Sequence, residues 1–212
     1  MTALLAHIYT AKGLCGVDIL RIGIYDKEVV LCLRENTAAG SRKKAGGNYM
    51  IERYTRPEMG HLWSIQNEWQ TILNVEIAAC EAMAELGEIP TAAVENIKKN
   101  ARFDVARINE IEKTTDHDII AFLTNLEENV GEDSKYIHKG LTSSDVKDTA
   151  YCVMMRDAAA IILNDLNAFR TVLRRRAEEF RHTPCIGRTH GIHAEPMTFG
   201  LKMLLWSAEI ER

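Results

Sequence analysis

The sequence predicts an all-α fold, a small helical N-terminal domain that leads into a bundle of long helices. Three observations carry this expectation. From Leu62 onward, apolar residues return at three- and four-residue steps, the period of a helix with one buried face. Capping residues, glycines and prolines divide that pattern into segments of helical length. One segment, from 143 to about 181, runs without a breaker. At the helical rise it would span about 55 Å, a length that suits a bundle or coiled coil better than a compact domain.

Taken in order, residues 1–49 stand apart. Residues 17–25 and 29–33 are apolar and β-prone, and Asp26-Lys27-Glu28 between them can turn a hairpin. Residues 37–48 are rich in Ala, Gly, Ser and Lys, a linker composition. A single hairpin is marginal in water, so this leader is expected to be a weak hairpin or a disordered appendage. Residues 50–142 are expected to form the helical N-terminal domain. After an irregular lead-in, Leu62, Ile65, Trp69, Ile72, Leu73, Ile77, Cys80 and Met83 mark a helix that stops near Gly87 and Pro90. Thr91 can cap a short helix through Val94 and Ile97, and Asp104 another through Ile108 and Ile111. Asp116 or His117 begins the next, which Gly131 ends. Residues 143–212 are expected to be the first part of the bundle, with Ser143 or Ser144 as the cap of its long helix. Pro196 suits the first position of a last helix. That pattern reaches Glu211-Arg212 without a cap, glycine or proline, as in a truncated bundle.

Composition narrows the class. The chain has 212 residues, 46% hydrophobic and 26% charged, enough to bury a sizeable core. A net charge of −4 without a long basic run gives no case for nucleic acid. No apolar run is long enough to span a bilayer, and the start lacks the pattern of a signal peptide. Five scattered cysteines, Cys15, Cys32, Cys80, Cys152 and Cys185, suit a reduced, cytoplasmic setting.

The chemistry-bearing residues gather in stretches between helices. G-R-T-H-G-I-H-A-E-P-M-T-F, residues 187–199, reads as a loop because two glycines and a proline interrupt the helical pattern. His190 and His193 can give or take protons near neutral pH, and Arg188 and Thr189 can hold an anion. His182, Cys185, His190 and His193 match no usual zinc spacing, so neither metal nor cofactor is expected. Three other clusters flank helices: Arg53-Tyr54, Asp116-His117-Asp118, and the stretch from His138 through Thr142 to Ser144. Taken singly, Asp116 and Ser143 suit helix caps, Tyr54 suits a core aromatic, and His117 suits a solvated helix start.

Together the stretches resemble one family. The chain from Met50 onward, about three quarters of it, is similar to the adenylosuccinate lyases of the fumarase/aspartase superfamily. The matching blocks are M-I-E-R-Y-T-R-P-E-M at 50–59, A-E-L-G-E-I-P at 84–90 and E-K-T-T-D-H-D at 112–118. H-K-G-L-T-S-S-D-V-K-D-T at 138–149 and G-R-T-H-G-I-H-A-E-P at 187–196 complete the set. His193 separates this family from fumarase and argininosuccinate lyase relatives, which usually carry glutamine there.

The resemblance implies the superfamily's helical bundle, a homotetramer, and cleavage of adenylosuccinate to AMP and fumarate by β-elimination. The same step would act on the succinyl-carboxamide intermediate of purine synthesis. It implies that His190 is the acid that protonates the departing nitrogen, with His117 assisting near the substrate. Arg53 and Tyr54 match contacts to the nucleotide phosphate, and Thr142 and Ser143 match contacts to the dicarboxylate end. Asp116, Asp118, His138 and Thr189 complete the implied substrate set, Asp116 standing where relatives often carry a basic residue. The partner expected is thus a small nucleotide substrate, not nucleic acid or a membrane. The family's serine-bearing loop, S-S-x-M-P-x-K-x-N, does not occur in the sequence, so this chain by itself is expected to be inactive. The alternatives are another superfamily lyase, such as one acting on argininosuccinate, and a non-catalytic helical fragment.

Overall fold

The three- and four-residue apolar period becomes helix almost everywhere it occurs. The computed structural model describes residues 51–212, so the expected hairpin and linker in 1–49 lie outside the described residues. A 3-10 turn at Glu52–Tyr54 precedes α1 (Pro57–Leu62), α2 (Ile65–Glu85), α3 (Thr91–Asn100), α4 (Val105–Thr115) and α5 (Asp118–Val130). A second 3-10 turn, Gly131–Tyr136, leads towards α6 (Ser143–Glu179). Strands β1 (Pro184–Thr189) and β2 (Ile192–Thr198) follow, then α7 (Phe199–Glu211). The chain divides into two compact units, with the boundary after Val153 inside α6. Among the described residues, no helix is long and apolar enough to cross a membrane.

In the first unit the buried stripes of α2 to α5 and the start of α6 close around one core. Phe122 is fully buried, stacked on Trp69 at 4.9 Å between centroids and met edge-on by Phe103 at 6.0 Å. Burying a side chain of that size contributes about 1.5–3 kcal/mol. Caps set where the helices start. Ser64 accepts from Asn67 N–H, Asp104 from Ala106 and Arg107 N–H, and His117 from Ile120 N–H. Thr91 is not a cap; it is the first helical residue, and Pro90 before it supplies the fixed φ that starts the turn. Ser143 likewise lies inside α6, while Thr142 N–H donates to Asp145 Oδ2 at 2.9 Å and closes the first turn from outside. The stripe of α2 also departs from the simple pattern. Ile65 is half exposed, whereas Glu76, amid the apolar positions, is 1% exposed.

In the second unit, α7 returns along the end of α6. Phe180 meets Phe199 edge-on at 5.3 Å, and Glu211 pairs with Arg170 and Arg174. Gly200 makes the approach feasible, since a Cβ there would lie 2.3 Å from Ala177 O. Between the helices the expected loop is instead an antiparallel hairpin. Thr189 pairs with Ile192, leaving His190-Gly191 as a two-residue turn with φ of 51° and 75°. Positive φ at both positions is the turn geometry that matches strand twist. The register shifts between Ile186 and Arg188, where Gly187 lies so close to Glu195 O that a Cβ would sit at 2.9 Å. Pro196 is therefore not a helix start. It lies within β2 opposite Ile186, which a two-stranded ribbon tolerates because each strand has a free edge. Helix α7 begins three residues later, with Thr198 Oγ1 accepting from Leu201 N–H.

Candidate functional site

The expected site residues fall in both units. Four local arrangements hold them.

The first lies at the α4–α5 junction. Asp116 ends α4 in the left-handed conformation, φ 48°, which turns the chain so that His117 can cap α5. His117 Nδ1 accepts from Ile120 N–H at 3.3 Å, so a neutral ring carries its proton on Nε2. Its side chain is about half exposed. Asp118 accepts from Ile119 N–H at 2.8 Å through Oδ1 and is ion-paired through Oδ2 with Lys147 of α6. Burial opposes its charge, but Lys147 and the Ile119 amide hold the carboxyl below its ordinary pKa. One helical turn beyond Lys147, Tyr151 donates to Glu68 Oε1 at 3.3 Å. Burial, and then the Glu68 and Asp118 charges, push the Tyr151 hydroxyl above its ordinary pKa. Neither Lys147 nor Tyr151 is in the set expected from sequence. Their spacing of four on the first turns of a helix is the signal that could have found them.

The second arrangement surrounds His138. The preceding 3-10 turn ends with Ile137 buried, and His138 then adopts φ 62°. A residue other than glycine in that region costs about 1–3 kcal/mol and persists only where its surroundings hold it. Here Glu76 does so: its Oε2 accepts from His138 N–H at 3.0 Å, and Oε1 lies 2.5 Å from His138 Nδ1. Burial raises the Glu76 pKa, and the bonds from His138 pull against that shift. One turn further along α2, burial and the neighbouring Glu76 and Glu81 charges push the Cys80 thiol up to about 12, so it is no nucleophile. Glu76 is not in the set expected from sequence. Its signal was an acid at a core position of an apolar stripe.

The third and fourth arrangements are more open. Arg53 lies 4.8 Å above the Tyr54 ring, and Tyr54 is largely exposed, so it is not the core aromatic its type allowed. Thr142 is exposed and Ser143 partly so at the start of α6. At the hairpin, Thr189, His190 and His193 are all exposed. Among the described residues, His190 has no hydrogen-bond or ionic partner. Among the same residues, no group of three or more His, Cys, Asp or Glu side chains is arranged to hold a metal ion.

Chemically, these parts offer imidazoles near solvent, a cation beside a phenol, and hydroxyl and amide donors at a helix start. Taken separately, the cation and the donors suit anionic groups, and the imidazoles suit proton transfer near neutral pH. A protein-family model described as Lyase matches residues 50–212. Over 163 residues the chain is 51% identical to an adenylosuccinate lyase of Bacillus subtilis (strain 168) and 53% identical to one of Synechocystis sp.. Each match covers 77% of this chain and 38% of the relative, so the chain spans well under half the length of those curated relatives. Among solved structures it is similar to a fumarate lyase from Mesorhizobium sp. BNC1, with TM-score 0.69 and 32% identity. That match covers 73% of this chain and 37% of the other.

Proposed function

We propose, from the premise that this chain belongs to the lyase family, that it forms part of an enzyme cleaving adenylosuccinate to AMP and fumarate. The observation that carries this reading is identity of 50% or more, over 163 residues, to several adenylosuccinate lyases. The reaction is a β-elimination: a base takes the proton next to a carboxylate, and the C–N bond breaks. The departing nitrogen leaves poorly as an anion, so an acid must protonate it.

His190 is that acid in this reading. An exposed imidazole on a two-residue turn, with Gly191 beside it, can meet substrate without steric hindrance from its own strand. His117 assists: its Nδ1 is engaged by the helix cap, so Nε2 carries the proton when the ring is neutral. Arg53 and Tyr54 take the phosphate, Thr142 and Ser143 take the dicarboxylate, and Thr189 belongs to the substrate set. Asp116, Asp118 and His138 border the site. A homotetramer and a cytoplasmic setting belong to the same proposal, as does the organisation into residues 50–142 and 143–212.

The full-length protein expressed from its gene tests the reading by fumarate release, followed through ultraviolet absorbance. Adenylosuccinate should be consumed and argininosuccinate left intact. Turnover of argininosuccinate, or no elimination from adenylosuccinate, would sink the assignment.

A further inference from the structure

We propose that Glu76 is a positioning residue for His138, fixing the tautomer and the orientation of its ring through a buried carboxylate that grips backbone and side chain together. The inference rests on the reading of His138 as a residue of the substrate site.

The geometry leaves few alternatives. Glu76 is 1% exposed and spends both carboxylate oxygens on one residue, Oε2 on His138 N–H and Oε1 on Nδ1. An ionised carboxylate only accepts, so the proton between Oε1 and Nδ1 belongs to the ring. The left-handed backbone at His138 turns the amide and the ring to the same side, where one carboxylate reaches both. Among the described residues, Nε2 then has no partner, and the side chain is 16% exposed. Nε2 is the nitrogen left for a solute: a lone pair when the ring is neutral, an N–H for an anionic oxygen when it is charged. No other role for Glu76 is apparent, because a carboxylate on the core stripe of α2 has a desolvation cost that an apolar residue would avoid.

The decisive variant is Glu76→Gln. Its amide oxygen can still accept from His138 N–H, but its NH2 must donate to Nδ1, which forces the ring proton to Nε2. Long-range proton–nitrogen NMR on the 212-residue chain, at about pH 8 where free histidine is neutral, reads this directly. The His138 signal is assigned by its loss in His138→Phe. Wild type should carry the proton on Nδ1 and the variant on Nε2. A wild-type ring protonated on Nε2, or a variant still protonated on Nδ1, would overturn the proposal. If the variant does not fold, the wild-type spectrum alone decides by the same criterion.

AMP added to both chains separates this inference from the one it rests on. Binding that shifts the His138 signal should weaken about tenfold or more in the variant, equivalent to about 1.4 kcal/mol. The tautomer exchange without any response to AMP would uphold the role of Glu76 and count against the nucleotide reading instead.

Discussion

His138 and His190 both occupy the left-handed backbone region, at φ 62° and 51°, but the two places hold their rings by different means. His138, in a turn, is gripped by a buried glutamate of α2, 62 positions earlier in the sequence. His190 is carried by the backbone of a tight turn, and among the described residues nothing holds its ring. One histidine is oriented by tertiary packing, the other only placed. The difference suits the roles proposed for them. A substrate contact gains from a fixed ring, whereas an acid on an exposed turn keeps the freedom to follow a leaving group.

The largest expected effect tests the second role. In the full-length protein, His190→Gln should lower turnover by about 10²–10⁴-fold, the usual size of a general-acid contribution, with substrate affinity much less affected. Near-normal turnover would remove His190 from the acid role and leave His117 as the next candidate.

Glycine substitutions sharpen the comparison through stability. His190→Gly removes left-handed strain and no bond seen among the described residues. The melting free energy should therefore stay level or rise by up to about 1 kcal/mol. His138→Gly relieves similar strain but strands Glu76 Oε1 in the core. A charge-assisted bond contributes about 1.5–3 kcal/mol, so a net loss of about 1–2 kcal/mol is expected. Chemical denaturation of both variants measures it, and equal effects would erase the distinction drawn above.

The smallest effects concern pH. Asp118 has a lowered pKa in the folded state, so its contribution is present above its unfolded value and fades as pH falls through the folded one. Lys147→Met should cost about 1 kcal/mol near pH 6 and almost nothing in strong acid. Glu76 has the opposite sign. Its pKa is raised, so stability is fullest below the unfolded value and declines as pH rises through the folded one. Glu76→Gln should therefore be more costly in acid than at neutral pH. Denaturation curves across pH 3–8 should diverge in opposite directions for these two variants (the range spans the carboxylate and histidine titrations). Parallel curves would mean that neither carboxyl is perturbed as described.

Local chemistry alone determined much of the helical part. The apolar period marked α2 to α6, Asp104 announced one helix start, Asp116 or His117 another, and Gly131 an end, because each depends on neighbours within one turn. Of the pair, the structure makes His117 the cap and Asp116 the end of α4. The motif blocks pointed to the family for a similar reason: unlike residues in fixed local order carry their information in the chain itself. The hairpin escaped because its alternation is short, Ile192-His193-Ala194-Glu195, and Gly187, Gly191 and Pro196 interrupt it. Its strands are exposed on both faces for most of their length, so pairing rests on backbone bonds and on a His-Gly turn that reads as a loop. Glu76, Lys147 and Tyr151 escaped for another reason. An acid on an apolar stripe and a lysine on a first turn acquire meaning only when folding brings His138 and Asp118 against them, and that meeting depends on the packing of helices far apart in sequence.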